Sequence, residues 1–320
     1  MRFVVTGAAG FIGSNITRRL LDYHSDADVL GIDSFSDYYD PQLKRENLST
    51  LDGRRFRLIE ADLNEIDLAT ELRGVNVIYH EAGQPGVRKS WGSDFELYTN
   101  ANIRATQRLL EAARTLTNLT RFIYASSSSV YGEAETYPTT ETDRPMPRSP
   151  YGVTKLAAEH LCSLYASNFG LPTVSLRYFT VYGPGQRPDM AFTRFITAAL
   201  LGEPITVYGS GEQIREFTYV SDIVEANVLA ATAELTPGSV INLSGGSSVS
   251  VNEVLKVLER IHGAELVVQR LASVPGDVFR TGGSTASAKD LLGWRPSISL
   301  EAGLRAQYDW KKSQLEFGAR

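Results

Sequence analysis

Met1-Arg-Phe-Val-Val-Thr-Gly7-Ala-Ala-Gly10-Phe-Ile-Gly13 decides the fold of this 320-residue chain. The apolar run Phe3–Val5 reads as a strand, and three glycines spaced G-x-x-G-x-x-G carry the backbone into a helix beginning near Phe11. Glycine allows the sharp turn and the close approach of a pyrophosphate, whose charge then sits at the helix N-terminus. The spacing differs from the G-x-G-x-x-G dinucleotide fingerprint, but the physics is shared. Glycine triplets are common, so the context carries the weight. A second run, Val29–Ile32, ends in Asp33, and a carboxylate there can accept both ribose hydroxyls of an adenosine while repelling a 2′-phosphate. No arginine stands directly after Asp33, which favours NAD over NADP. Asp62 follows the third run as a plausible neighbour of the adenine. The opening stretch is no signal peptide: glycines interrupt it, it has one basic residue, and a cleavage pattern is missing.

Outward from this loop, short β-branched runs alternate with longer helical patterns. Strands are expected at Phe3–Val5, Val29–Ile32, Phe56–Ile59, Val77–Tyr79, Phe122–Tyr124 and Val174–Tyr178, with helices such as Leu97–Arg114 and Pro150–Asn168 between them. Apolar strands separated by helices indicate an α/β fold, a doubly wound parallel sheet covered on both faces. After about Thr180 the rhythm changes to proline and glycine punctuation, a strand–helix pair around Ile214–Ala233 and a helix over Val251–Ile261. This predicts a smaller, discontinuous C-terminal lobe with some elements returning to the main sheet. The division is 1–176 plus 214–243 for the Rossmann-type lobe and 177–213 plus 244–320 for the second.

Composition narrows the function. The net charge of -5, from 32 basic and 37 acidic residues, argues against a nucleic-acid surface. Cys162 has no partner for a disulfide within the chain and reads as a small buried residue. Four scattered histidines show no metal-ligand spacing, so no metal is expected. No apolar run approaches the roughly 18 residues that span a bilayer, and the protein reads as cytoplasmic.

The chemistry gathers in two further segments. In Ser149-Pro-Tyr151-Gly-Val-Thr-Lys155, Ser149 can cap a helix, Pro150 suits its first turn, and Tyr151 and Lys155 share one face four residues apart. A tyrosine hydroxyl ordinarily titrates near ~10, too high for a base at neutral pH. A nearby ammonium and the positive ring of NAD⁺ would bring it down; a shift of ~3 units needs ~4 kcal/mol. The run Ser126–Ser129 leaves the fifth strand at its carboxyl end, where ligands of parallel sheets bind.

Taken together, these residues resemble the extended short-chain dehydrogenases/reductases. The resemblance rests on Thr6–Gly13, Asp33, Asp62-Leu63, Ser126–Gly132, Tyr151–Lys155 and Leu176–Pro184, and it spans the chain from its start to Asp222. It implies a Rossmann domain, a Ser–Tyr–Lys site, and a small domain gripping a nucleoside diphosphate sugar. Ser127 looks like the hydroxyl that holds the sugar oxygen, Tyr151 the base and Lys155 the cation. Gly7, Gly10, Phe11, Ile12, Gly13, Asp33, Asp62, Leu63, Ala82, Gly83, Gln84, Asn102, Tyr151, Lys155 and Tyr178 are implied as cofactor neighbours.

Within the family, dTDP-glucose dehydratases carry Asp-Glu where this chain has Ser128-Ser129, and UDP-glucuronate decarboxylases carry Glu at Ser129. Without such an acid, what remains is reversible oxidation and reduction at one carbon, which is epimerisation. Pro85-Gly-Val-Arg88, Phe179–Pro184 and Gly185–Phe192 look most like UDP-glucuronate 4-epimerases; UDP-galactose 4-epimerases typically have Asn where Thr180 stands. The implied substrate contacts are Pro85, Arg88, Ser127, Ser128, Ser129, Tyr151, Thr180, Arg187, Met190, Phe192, Arg215 and Asp277. The three hydroxyls of Ser128, Ser129 and Thr180 would take the sugar carboxylate, and the arginines would lie near diphosphate or uridine. A homodimer through the helices near Leu97–Arg114 and Pro150–Asn168 is implied as well. Two positions depart from the pattern: Glu81 puts a charge where an apolar residue is usual, and Val274 replaces an arginine. A 4-epimerase for neutral or N-acetylated UDP-hexoses, a net reductase and a non-catalytic NAD-binding sensor remain as rivals.

Overall fold

The computed structural model describes residues 1–51, 53–246, 248–272 and 278–318. All six expected runs form strands: β1 Arg2–Thr6, β2 Asp28–Asp33, β3 Phe56–Glu60, β4 Val77–His80, β5 Arg121–Ser127 and β6 Thr173–Tyr178. The short strands β7 Val181–Tyr182, β8 Ile205–Tyr208, β9 Ile214–Glu216 and β10 Thr218–Tyr219 follow, then β11 Ser239–Leu243, β12 Ser248–Ser250 and β13 Val268–Leu271. Strand β11 joins the first six in one parallel sheet of order β11-β6-β5-β4-β1-β2-β3. Its sequence hides it, because Ser239 and Asn242 interrupt the apolar pattern. Asn242 is nonetheless buried, accepting from the Tyr131 hydroxyl at 2.8 Å and donating to the Thr139 carbonyl at 3.1 Å.

The strand order reverses between β1 and β4, and a doubly wound sheet opens its ligand crevice at the carboxyl ends beside such a point. Alternate strand residues feed two cores. Phe3, Val5, Val77, Tyr79, Ile123 and Leu176 pack under the helices Phe11–Tyr23 and Val220–Thr232. Val4, Leu30, Ile78, Phe122 and Tyr124 face the helices Ala105–Ala113 and Pro150–Phe169. A third core, centred on Tyr182, Phe195, Ile196 and Leu258, belongs to the smaller lobe. The chain passes between lobes repeatedly. Strand β9 pairs antiparallel with β12 in the small lobe, while Ala288, Leu292 and Trp294 return to the main core, the Trp294 indole donating to the Asp222 carbonyl at 2.8 Å.

The expected helix Leu97–Arg114 is interrupted. It runs as a short helix Phe95–Tyr98, a π-helical stretch Thr99–Arg104, and the helix Ala105–Ala113. The wider turn holds Asn102, whose Oδ1 accepts from the Gln84 N–H at 2.7 Å and whose Nδ2 donates to the Gln84 carbonyl and the Thr154 hydroxyl. Such π-bulges are usually kept for a function, and here one ties a cleft loop to two helices. The helix Pro150–Phe169 forms as its sequence foretells: Ser149 Oγ accepts from the Gly152 N–H at 3.1 Å, Pro150 occupies the first turn, and Gly170 ends the helix at φ 67°.

Two turns along from Tyr151 on this helix, Glu159 makes a two-pronged ion pair with Arg177 of β6, at 2.6 and 3.0 Å, with both side chains nearly inaccessible. Ser126 donates to the same carboxylate at 2.6 Å, so one buried acid joins the helix, β5 and β6. Breaking a buried pair strands a charge, at a cost of about 3–5 kcal/mol, whereas an apolar replacement of both partners can be nearly neutral. Arg177→Met is therefore expected to lose about that much stability in urea unfolding, and the double variant Glu159→Leu/Arg177→Met to recover most of it.

Candidate active site

A cleft of about 420 Å³ opens at the carboxyl ends of β1, β2, β4 and β5. Gly7 follows β1 at φ 66°, and its N–H donates to the Ile32 carbonyl at 2.7 Å. A Cβ on Gly7 would meet the Ala82 nitrogen at 2.8 Å, and one on Gly13 would overlap the Gly7 carbonyl. Strand, turn and helix therefore touch backbone to backbone with no room for side chains between them, and the glycines line the cleft as bare backbone. No side chain caps the helix that starts at Phe11, so its first turn offers N–H groups to an anion. The cradle thus fits a dinucleotide pyrophosphate.

Gly7, Gly10, Phe11, Ile12, Gly13, Asp33, Asp62, Leu63, Ala82, Gly83, Gln84, Tyr151, Lys155 and Tyr178 all line this cleft. Asn102 does not; it is buried behind, holding Gln84 and standing 2.9 Å from where a Cβ of Gly83 would be. Asp33 is fixed by two backbone N–H groups, Ala9 to Oδ2 at 3.0 Å and Phe35 to Oδ1 at 2.8 Å. Each carboxylate oxygen retains a second acceptor position for a ribose hydroxyl. Sequence reasoning missed Ser36, Tyr38, Tyr39 and Lys44 at this end of the cleft. Lys44 donates to the Ser36 carbonyl at 2.7 Å, a contact eight residues apart with no motif to announce it.

At the other end stand Tyr151 and Lys155. Ser127, the last residue of β5, neighbours Tyr151 and favours its ionised form. Burial raises the Tyr151 pKa above its ordinary value, against the lowering effects of Ser127 and the Arg187 charge. Burial also lowers Lys155 to about 8, opposed by Glu81. Arg187 supplies positive charge that acts on Tyr151, while Lys155, one helical turn along, lies 4.7 Å over the Tyr124 ring and is answered by Glu81. Further positive charge entering the cleft would bring the Tyr151 hydroxyl back down.

The residues expected around the sugar and diphosphate are less uniformly placed. Pro85 and Arg187 line the cleft. Ser127 Oγ accepts from the Ser129 N–H at 3.1 Å, closing the turn Ser128–Val130. The register Ser127↔Tyr178 sets this turn beside the segment leading from β6 through Thr180 to β7. Arg187 makes two bonds to Asp189, at 2.9 and 3.0 Å. Arg88 stacks on Tyr208 at 4.6 Å, and Arg215 donates to the carbonyls of Val278 and Phe279. Met190 precedes the helix Ala191–Leu201, and Phe192 is 2% exposed, packed against Phe217 at 4.5 Å in the small-lobe core. Asp277 and Val274 lie outside the described residues.

A parallel doubly wound sheet with a glycine cradle and a Ser–Tyr–Lys group at its carboxyl edge defines a nucleotide-cofactor enzyme of the short-chain dehydrogenase/reductase class. Residues 3–244 match the model of the NAD dependent epimerase/dehydratase family, and the chain belongs to that family. It is 44% identical over 305 residues to a Bacillus subtilis (strain 168) protein described as an uncharacterized UDP-glucose epimerase, covering 95% of this chain and 96% of that one. It is 36% identical to a UDP-glucuronate 4-epimerase from Thermodesulfobacterium geofontis, covering 98% and 97%. Its structure superposes on that of UDP-glucuronic acid 4-epimerase from Bacillus cereus, in complex with UDP-glucuronic acid and NAD, with a TM-score of 0.94. That pair shares 44% identity over 98% of this chain and 100% of the other.

Because Ser127 favours the Tyr151 phenolate, Ser127→Ala should push the hydroxyl further up. The acidic limb of the pH–rate profile should then move to higher pH, which steady-state rates over a pH series would show.

Proposed function

We propose that the protein is an NAD-dependent UDP-glucuronate 4-epimerase, interconverting UDP-glucuronate and UDP-galacturonate with the cofactor held throughout. The observation that carries this reading is the placing of Tyr151 and Lys155, one helical turn apart on the helix Pro150–Phe169, in the same cleft as the glycine loop. The likeness to epimerases of known substrate supports the choice of sugar.

Bound NAD would accept the hydride from sugar C4 and return it. The chain's own part is to hold and move a proton. Tyr151 takes the proton of the 4-hydroxyl as C4 is oxidised and returns it after the 4-keto sugar has presented its other face. Ser127 steadies that oxygen, and Lys155 and Arg187 keep positive charge near the phenolate. The glycine loop holds the cofactor pyrophosphate, Asp33 the adenosine ribose, and Arg187, Arg88 and Arg215 are assigned to the substrate's phosphates or uridine. Every cycle regenerates the oxidised cofactor, so none needs to be supplied.

The 4-keto sugar is a β-keto acid and loses CO₂ most readily when its carboxylate bond stands perpendicular to the carbonyl plane. We assign Ser128, Ser129 and Thr180 to hold the carboxylate away from that alignment, a positioning effect. Thr180→Val should leak UDP-pentose, read as a new product by chromatography; an unchanged product ratio would count against the assignment.

We also infer a homodimer through the two helical regions named for it, supported by the exposed apolar side chains Val153, Leu164 and Phe169 along the helix Pro150–Phe169. A cytoplasmic setting belongs to the same reading. Among the described residues no helix is long and apolar enough to cross a membrane.

The description of the Bacillus subtilis relative favours a second reading, a 4-epimerase for UDP-glucose. One experiment separates the two: incubation of the purified protein, without added NAD, with UDP-glucuronate, UDP-glucose and UDP-N-acetylglucosamine in turn. Conversion of UDP-glucuronate to UDP-galacturonate is expected. Conversion of a neutral sugar in its place would replace the proposal with the second reading, and no conversion of any would return the sensor reading.

A further inference from the structure

Glu81 is the cleft residue that neither the glycine loop nor the Ser127–Tyr151–Lys155 group accounts for. It follows β4 directly and lines the reaction end of the cleft with Ala125, Tyr151, Lys155 and Tyr178. The Tyr178 hydroxyl donates to Glu81 Oε1 at 2.9 Å and is itself held by Asn227 Nδ2 at 2.8 Å. The carboxylate is therefore aimed by residues from β6 and the helix Val220–Thr232. Lys155, from the helix Pro150–Phe169, supplies the positive charge that acts on it, and Tyr79 of β4 and Tyr124 of β5 also feel it. An acid placed this way, among tyrosines and one lysine, is costly to ionise and has no role in aiming Tyr151.

We propose that Glu81 is a charge-setting residue of the cleft, one that favours the oxidised dinucleotide over the reduced one and offsets the cation of Lys155. The inference rests on the reading that this cleft holds NAD. The nicotinamide ring is positive when oxidised and neutral when reduced, so a fixed carboxylate stabilises the first form and a fixed ammonium opposes it. A unit charge pair at an effective dielectric of ~20 retains a roughly tenfold effect out to ~12 Å, longer than most separations within one cleft end.

The sign with pH follows. Burial raises Glu81 to about 7, so its charge, and with it the preference for NAD⁺, grows as pH rises through that value. Lys155, lowered to about 8, loses its charge at somewhat higher pH and shifts the balance the same way. The facing tyrosines Tyr79, Tyr124 and Tyr178 are raised and stay neutral there, whereas Tyr151, whose phenolate an oxidised ring favours, moves the ratio the same way as Glu81. His80, the preceding residue, is lowered to about 3 by burial and also stays neutral.

The test is to equilibrate the holoprotein with mixtures of NAD⁺ and NADH, separate the protein, and read the bound ratio by NADH fluorescence across neutral pH. The natural protein should bind increasingly in favour of NAD⁺ as pH rises. Glu81→Gln, which keeps an acceptor for the Tyr178 hydroxyl, should shift the ratio toward NADH by roughly tenfold above neutrality and hardly at all well below it. A ratio that is the same in both proteins, or flat with pH in the natural one, overturns the inference and leaves the epimerase reading standing. Because Lys155 and Tyr151 move the natural protein's ratio the same way, the comparison with the variant assigns the effect, and Glu81→Leu takes its place if Glu81→Gln fails to fold. Failure to bind either form would end both.

Discussion

Backbone contact at Gly7 is the constraint from which the rest of the molecule is built. At that point β1 ends, the turn reverses, the first helix begins, and the loop after β4 passes within van der Waals reach. A single added Cβ would separate these backbones, and with them the layers whose cores lie on either face of the sheet. The same closeness exposes the N–H groups of the first helical turn to the cleft. Stability and anion binding therefore come from one piece of geometry.

Around this fixed edge the protein keeps charge out of water sparingly. Glu159 and Arg177 neutralise each other where the catalytic helix meets the sheet, so that Ser126 and Ser127, adjacent in sequence, serve different ends. One bonds the structural acid; the other meets Tyr151. Alternation along a strand is enough to divide them. Farther into the cleft, Tyr151 and Lys155 are both pushed by burial toward their neutral forms. A site of this kind spends folding stability to hold groups that change protonation easily when new charge arrives.

The small lobe answers a different need. Its core of aromatic rings fixes the loop that carries Arg187, and that loop reaches back over the cleft, where Tyr38 hydrogen-bonds Asp189 at 3.4 Å. Residues from both lobes thus border one cavity, which suits a ligand with a nucleotide at one end and a sugar at the other.

Much of this was legible in the chain itself. Local rules marked the glycine turn, the alternating runs of the first six strands, Asp33 at the end of β2, and the Ser149-capped helix with Tyr151 and Lys155 on one face, because each depends on neighbours within a few residues. Other features depend on partners far along the chain. The polar-interrupted strand β11 needs the Tyr131 and Thr139 contacts to bury Asn242, and the π-helical turn at Asn102 exists for the Gln84 backbone. That Arg187 adds its charge at Tyr151, and what answers the charge of Glu81, were decided only when β4, β5, β6 and the loop around Arg187 came together. Sequence spacing fixes direction along one element, but electric fields and burial belong to the space between elements.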